Sequence, residues 1–138
     1  MSYEAVIHGG NGITWYSYGD AVNTPESWEN MRRIVGELSA LQDVFLEPVK
    51  LPVEATVIDG PQTDTLGYPS ISVMAKQHDG KLFLICANSA NAEVAVTLPC
   101  PDMTRATVRF EDREVTLANG VLTDRFAPLA VHVYELEP

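Results

Sequence analysis

The sequence predicts an α+β protein that is mainly β: an antiparallel sandwich of about seven or eight strands behind a short helix–strand–helix segment. Three observations predict it. Apolar residues recur at helical spacing most clearly over residues 24–41. From Leu51 onward the apolar period changes to two. The turn signals Asp59-Gly60-Pro61, Asp79-Gly80 and Asn119-Gly120 then cut the chain into short strands. Pro48 and Pro52 break the pattern between the two regimes, so the expected division is residues 1–48 and residues 49–138.

The first segment opens with a helix-like run, Ser2-Tyr3-Glu4-Ala5-Val6-Ile7-His8, which Gly9-Gly10 stops. Asn11-Gly12 turns the chain into Ile13-Thr14-Trp15-Tyr16-Ser17-Tyr18, an apolar run of the kind a strand buried on both faces shows. In that strand Trp15 and Ser17 point one way, Tyr16 and Tyr18 the other. The next helix has Thr24 as its cap, Pro25 at its first position and Glu26 and Glu29 at its positive end. Trp28, Met31, Ile34, Val35, Leu38 and Leu41 form its apolar stripe, with Arg32 and Arg33 facing elsewhere.

In the second segment strands are expected at 54–58, 71–76, 81–88, 93–98, 107–110, 114–117, 121–126 and 129–136. Asp79-Gly80 is the strongest hairpin signal. A further hairpin turning near Ala90-Asn91 would pair Cys86 with about residue 95. Cys100 would then lie about five residues along the ladder, too far for a disulfide. Both cysteines are therefore expected to be reduced, with Cys86 a small core residue.

Charge narrows the partners. Nineteen acidic residues against nine basic give a formal charge of −10 over 138 residues. Phosphate contacts need Lys and Arg, so nucleic acid is not an expected partner, nor is an anionic membrane surface. No apolar run approaches the ~20 residues of a membrane span. No basic-then-apolar leader is visible, and reduced cysteines suit the cytoplasm, but the compartment stays open.

The remaining chemistry is sparse. Glycines precede the apolar run at 13–18 rather than following a strand and opening a helix, which is the reverse of a dinucleotide loop. No Ser sits in a nucleophile elbow. The two cysteines lack a His pair for zinc, and Asp59 and Asp64 lack calcium-loop spacing. Glu111, Asp112 and Glu114 around Arg113 read as a hairpin tip, and His8, His78 and His132 are scattered. No metal and no cofactor is expected.

The motif Ala5-Val6-Ile7-His8-Gly9-Gly10-Asn11-Gly12-Ile13-Thr14-Trp15-Tyr16-Ser17-Tyr18 resembles the last barrel strand of retaining, clan A-like glycoside hydrolases with a TIM-barrel core. In that family a Trp at the end of the strand forms part of the sugar-binding floor, and the matching position is Trp15. The ending Phe126-Ala127-Pro128-Leu129-Ala130-Val131-His132-Val133-Tyr134 is similar to the closing strands of the small β-domain that follows the barrel in several such enzymes. The resemblance implies that residues 1–48 are a barrel remnant, that the chain is the C-terminal region of a glycosidase, and that Trp15 and Tyr18 contact carbohydrate.

A complete barrel takes about 250 residues, more than this chain has. The family's two catalytic carboxylates arise from the fourth and seventh barrel strands, which are absent; Glu4 and Asp20 match neither. No catalytic residue and no normal turnover is expected of the chain by itself. Two other readings stay open: a stand-alone carbohydrate-binding or protein-interaction module, and a small glycosidase with a carboxylate pair of its own. An apolar strand with unpaired edges beside an uncovered helix also predicts a homo-oligomer, most simply a two-fold dimer.

Overall fold

The computed structural model describes residues 1–15 and 18–138, without the side chains of Tyr18 and Ala21. Four helices come first: α1 (Ser2–Ile7), α2 (Tyr18–Val22), α3 (Pro25–Ala40) and α4 (Gln42–Leu46). Nine strands follow: β1 (Thr56–Asp59), β2 (Ile71–His78), β3 (Lys81–Asn88), β4 (Val94–Pro99), β5 (Arg105–Arg109), β6 (Arg113–Val115), β7 (Leu117–Ala118), β8 (Val121–Phe126) and β9 (Val131–Glu137). They form a five-stranded sheet, β2-β3-β9-β5-β6, and a four-stranded sheet, β1-β4-β8-β7. Every pairing is antiparallel.

The two sheets face each other over one core and the helices cover the other face of the larger sheet, giving three layers. β3 explains why. Its residues alternate strictly between the two clusters: Leu82, Leu84 and Cys86 join the core between the sheets. Phe83, Ile85 and Ala87 join a second cluster with Tyr3 and Ile7 of α1, Leu41 and Val44 of α4. A central strand with both faces covered must be apolar at every position, which is the composition of Leu82-Phe83-Leu84-Ile85-Cys86-Ala87.

The turns follow local chemistry. Asp79 and Gly80 take φ of 48° and 76°, and Asn119 and Gly120 take 53° and 71°. Two successive positive φ values make the tight turns that match strand twist, so both predicted hairpins form. At the end of α1, Gly9 takes φ 94°. Gly9 N donates to Val6 O and Gly10 N to Ala5 O, at 2.9 and 2.7 Å, which is a Schellman end. Thr24 stands at the N-cap of α3 in extended conformation, but its hydroxyl makes no capping bond.

Four expectations change. Residues 13–15 form no strand and Tyr18 opens α2, while Tyr16 and Ser17 lie outside the described residues. A strand needs a partner ladder, and the helices occupy the sheet face beside this segment. The stretch expected as one strand at 114–117 is two, because the chain leaves β5 after Val115 and joins β8 from Leu117. The strand count among the described residues is therefore nine. Third, β3 and β4 do not form a hairpin: β3 pairs with β2 and β9, and β4 crosses to the other sheet. The ladder argument separating the cysteines thus fails, although both are free and buried in the same inter-sheet core. Fourth, Glu111 and Arg113 are not a plain solvated tip, as described below.

Candidate functional site

The first candidate is a groove over the helical layer. After the Schellman end of α1, residues 9–13 and Trp15 line one side of a cleft, and α3 and α4 wall the other. The resulting cleft, about 680 Å³, is lined by Gly10, Trp15, Val35, Leu38, Phe45 and Leu46, with Met74 and Lys76 of β2 at its floor. Trp15 is 38 % and Val35 44 % exposed. α3 buries none of its sixteen residues. Its exposed flank is stitched by Arg32–Glu29 and Arg33–Glu37 pairs, at 3.2 and 2.7 Å, while it packs against α2 and α4 and sets Leu38 against the helix–sheet cluster. Trp15, a sequence-predicted contact, lies at this groove. Tyr18 is placed at the start of α2, and its side chain is outside the described residues.

The second candidate is the edge of the sandwich where β6 faces β8. Tyr134 Oη and an Arg113 guanidinium nitrogen both donate to Asp124 Oδ2, at 2.8 and 2.7 Å. Arg113 Nε donates to Glu111 Oε2 at 2.7 Å, and Glu111 Oε1 meets His132 Nδ1. The His132 ring packs on Phe126 at 4.4 Å between centroids, and its Nε2 is buried without a hydrogen-bond partner. One guanidinium thus bridges two carboxylates. Burial pushes Asp124 upward, but hydrogen bonds from Arg113, the Arg125 amide and Tyr134 outweigh it and hold the carboxyl below the usual carboxylate range. A glycosidase acid needs the opposite, a carboxyl raised by its surroundings. The network therefore closes the sandwich edge and does not form a general acid–base pair.

The third candidate sets the end of α1 against the start of β2 and the loop before it. His8 Nε2 lies 3.3 Å from Glu4 Oε2 and 3.2 Å from Ser72 Oγ. Ser, His and a carboxylate meet here, but on the same ring nitrogen. A nucleophilic relay needs the hydroxyl on one nitrogen and the carboxylate on the other, so the hydroxyl is not activated. Glu4 Oε1 is buried and has no hydrogen-bond partner. The adjoining cleft, about 520 Å³, also borders Asp64, Tyr68 and Lys50.

Other groups are committed elsewhere. Asp59 pairs with Arg125 at 3.0 Å, and Asp64 accepts the Leu66 and Tyr68 amides, so neither is a free cation ligand. Burial pushes the Cys86 thiol well above its ordinary range and the Cys100 thiol up to about 11. Both are inert at neutral pH.

With this geometry in hand, the comparisons with known proteins concern the fold. AmyP in complex with maltose shares it at 17 % identity and a TM-score of 0.54. A substituted AmyP in complex with maltotriose does so at 16 % and 0.55. Each match covers 80 % of this chain and 21 % of that one, so the chain spans about a fifth of the length of these relatives. Gan42B, a GH42 β-galactosidase from G. stearothermophilus, aligns at 18 % identity and a TM-score of 0.41, over 80 % of this chain and 13 % of that one. No family model matches the sequence, and no curated protein does.

Proposed function

We propose that this chain is the C-terminal region of a glycoside hydrolase, in which residues 1–48 abut the preceding catalytic part and the sandwich is appended to it. The observation that carries the reading is α3: a sixteen-residue amphipathic helix with no buried residue, beside an apolar groove that holds Trp15. Its stripe residues Trp28, Met31, Ile34 and Leu38 are only half-buried and Val35 is exposed, so the face they share with the groove is incompletely covered and suits a neighbour. The fold likeness to AmyP, whose complexes hold maltose and maltotriose, supports carbohydrate as the ligand class. Trp15 and Tyr18 belong to the segment for which the resemblance implies sugar contact in the assembled enzyme.

The catalytic carboxylates lie in that preceding part. The isolated chain is expected to release no product above background from aryl glycosides or polysaccharides. Robust turnover abolished by one Asp or Glu substitution would overturn the reading and establish a small glycosidase instead.

A further inference from the structure

The loop between β1 and β2 is held with unusual economy around one side chain. Asp64 Oδ1 accepts the amides of Leu66 and Tyr68, at 2.8 and 3.0 Å. The Asp64 amide donates to Tyr68 O at 2.8 Å, and the Gly67 amide to Asp64 O at 3.2 Å. Gly67 takes φ 84°, a conformation that costs other residues strain. Thr63 and Pro69 bridge the base, and Ser70 Oγ donates to Pro61 O at 2.7 Å. Yet the loop's large apolar side chains stay in water: Leu66 is 80 % and Tyr68 66 % exposed. Burial of those side chains does not explain why the loop is pinned.

Tyr68 stands at the rim of the cleft formed with α1. Across that cleft are Glu4, with one buried carboxylate oxygen unpartnered, His8 and Ser72 sharing a contact, and Lys50 on Ile7 O at 3.4 Å. Glu4 Oε1 is shielded from solvent, so a ligand in the cleft would meet Glu4 through Oε2, the oxygen 3.3 Å from His8 Nε2, and a hydroxyl group can donate there. Its volume of about 520 Å³ lies within the ordinary range for small-ligand sites. Carboxylates, an ammonium, a hydroxyl and an imidazole alternate around it, so neither an anion nor a cation is favoured by charge alone. What this lining matches is a neutral molecule with many hydroxyls and one apolar face.

We infer that the cleft between α1 and the 62–69 loop binds a neutral saccharide, with Tyr68 as the stacking platform and Glu4, His8 and Ser72 as hydroxyl partners. The site belongs to this chain alone, some distance in sequence from Trp15, and rests on the reading above only for the class of ligand. Pre-fixing the loop limits the ordering cost of binding, which favours a weak ligand such as a sugar.

The test uses the whole 138-residue chain and two-dimensional amide spectra during titration with maltotriose, cellotriose and galactobiose. At least one is expected to shift the amides of Tyr68, Ser72 and Ser89, which also lines the cleft, together. Tyr68→Ala should weaken that binding about tenfold or more, and Tyr68→Phe should keep it. Because Tyr68 is exposed, the alanine variant retains the fold, which its unchanged melting curve checks. Glu4→Gln, which keeps an acceptor, should weaken it less than Glu4→Ala. No shift with any of the three sugars, or shifts confined to residues 9–15, overturns the site. So does equal binding by Tyr68→Ala. None of these outcomes bears on whether the chain belongs to a larger glycosidase, which the hydrolysis assay judges separately.

Discussion

β3 is apolar at almost every position and α3 along one stripe, and the two have different fates. β3 alternates between two cores and buries seven of its eight residues. α3 carries a stripe at regular helical spacing and buries none. The difference is that β3 has a covered core on each face, whereas α3 is covered only in part: Trp28, Met31, Ile34 and Leu38 are half-buried and Val35 is exposed. An apolar pattern in a sequence states that a surface wants covering; it does not say that the cover lies in the same chain. That contrast, more than any single residue, is what the proposal of a neighbour for the helical segment rests on.

The sharpest way to break the comparison is to truncate one residue from each element. Leu84 is fully buried between the sheets. Leu84→Ala should cost about 2–5 kcal/mol, through lost transfer energy and the cavity left behind. Val35→Ser should leave stability within about 0.5 kcal/mol, since it removes no buried contact. Urea unfolding of both variants measures this. A comparable loss for Val35→Ser would mean that α3 is already covered, and the argument from its exposure would fall.

The next largest effect concerns association. With Trp15, Val35 and Leu46 all exposed around one groove, the free chain is expected to pair through this face, most simply as a two-fold dimer. Sedimentation at micromolar concentration should show the dimer, and the double variant Val35→Ser, Leu46→Ser should shift it to monomer without loss of secondary structure. A wild-type chain that sediments as monomer across that range rules out self-pairing through this face.

The same contrast marks what was legible in the sequence. Strands declared themselves wherever alternation and a turn dipeptide coincided, as at Asp79-Gly80 and Asn119-Gly120, because both signals are local. Which sheet a strand would join was not legible. β3 and β4 are neighbours in sequence but lie in different sheets, and that choice is made by contacts remote along the chain. The aromatic run at 13–18 misled for a related reason: aromatic residues favour strands only where a ladder exists, and residues 13–15 have none. The Tyr68 cleft was invisible as a site, since Glu4 and Tyr68 are brought together only by α1 docking on β2 and β3. Nothing local to residues 62–69 signalled what that loop would display.

The smallest expected effect tests how the helical layer is tethered. Glu47, just past α4, accepts the Lys76 ammonium on its backbone oxygen and meets His78 Nδ1 with Oε1 at 2.6 Å. The Glu47 hydrogen bond raises the His78 pKa above the ordinary histidine value; partial burial opposes it, and the charges of Asp79, Glu47 and Asp43 add to the rise. A histidine that holds its proton more tightly when folded stabilises the fold at pH below its unfolded value. That contribution is lost as pH rises through the higher, folded value. The tether should therefore loosen on going from about pH 6 to pH 8. Because it joins α4 to β2 and leaves the inter-sheet core untouched, the loosening should appear as faster amide exchange in α4, after correction for the intrinsic pH dependence, with β3 unchanged. Glu47→Gln removes the carboxylate that raises His78 and should flatten the dependence. If β3 and α4 respond to pH together, the two layers unfold as one unit, and the contrast between them is one of packing but not of stability.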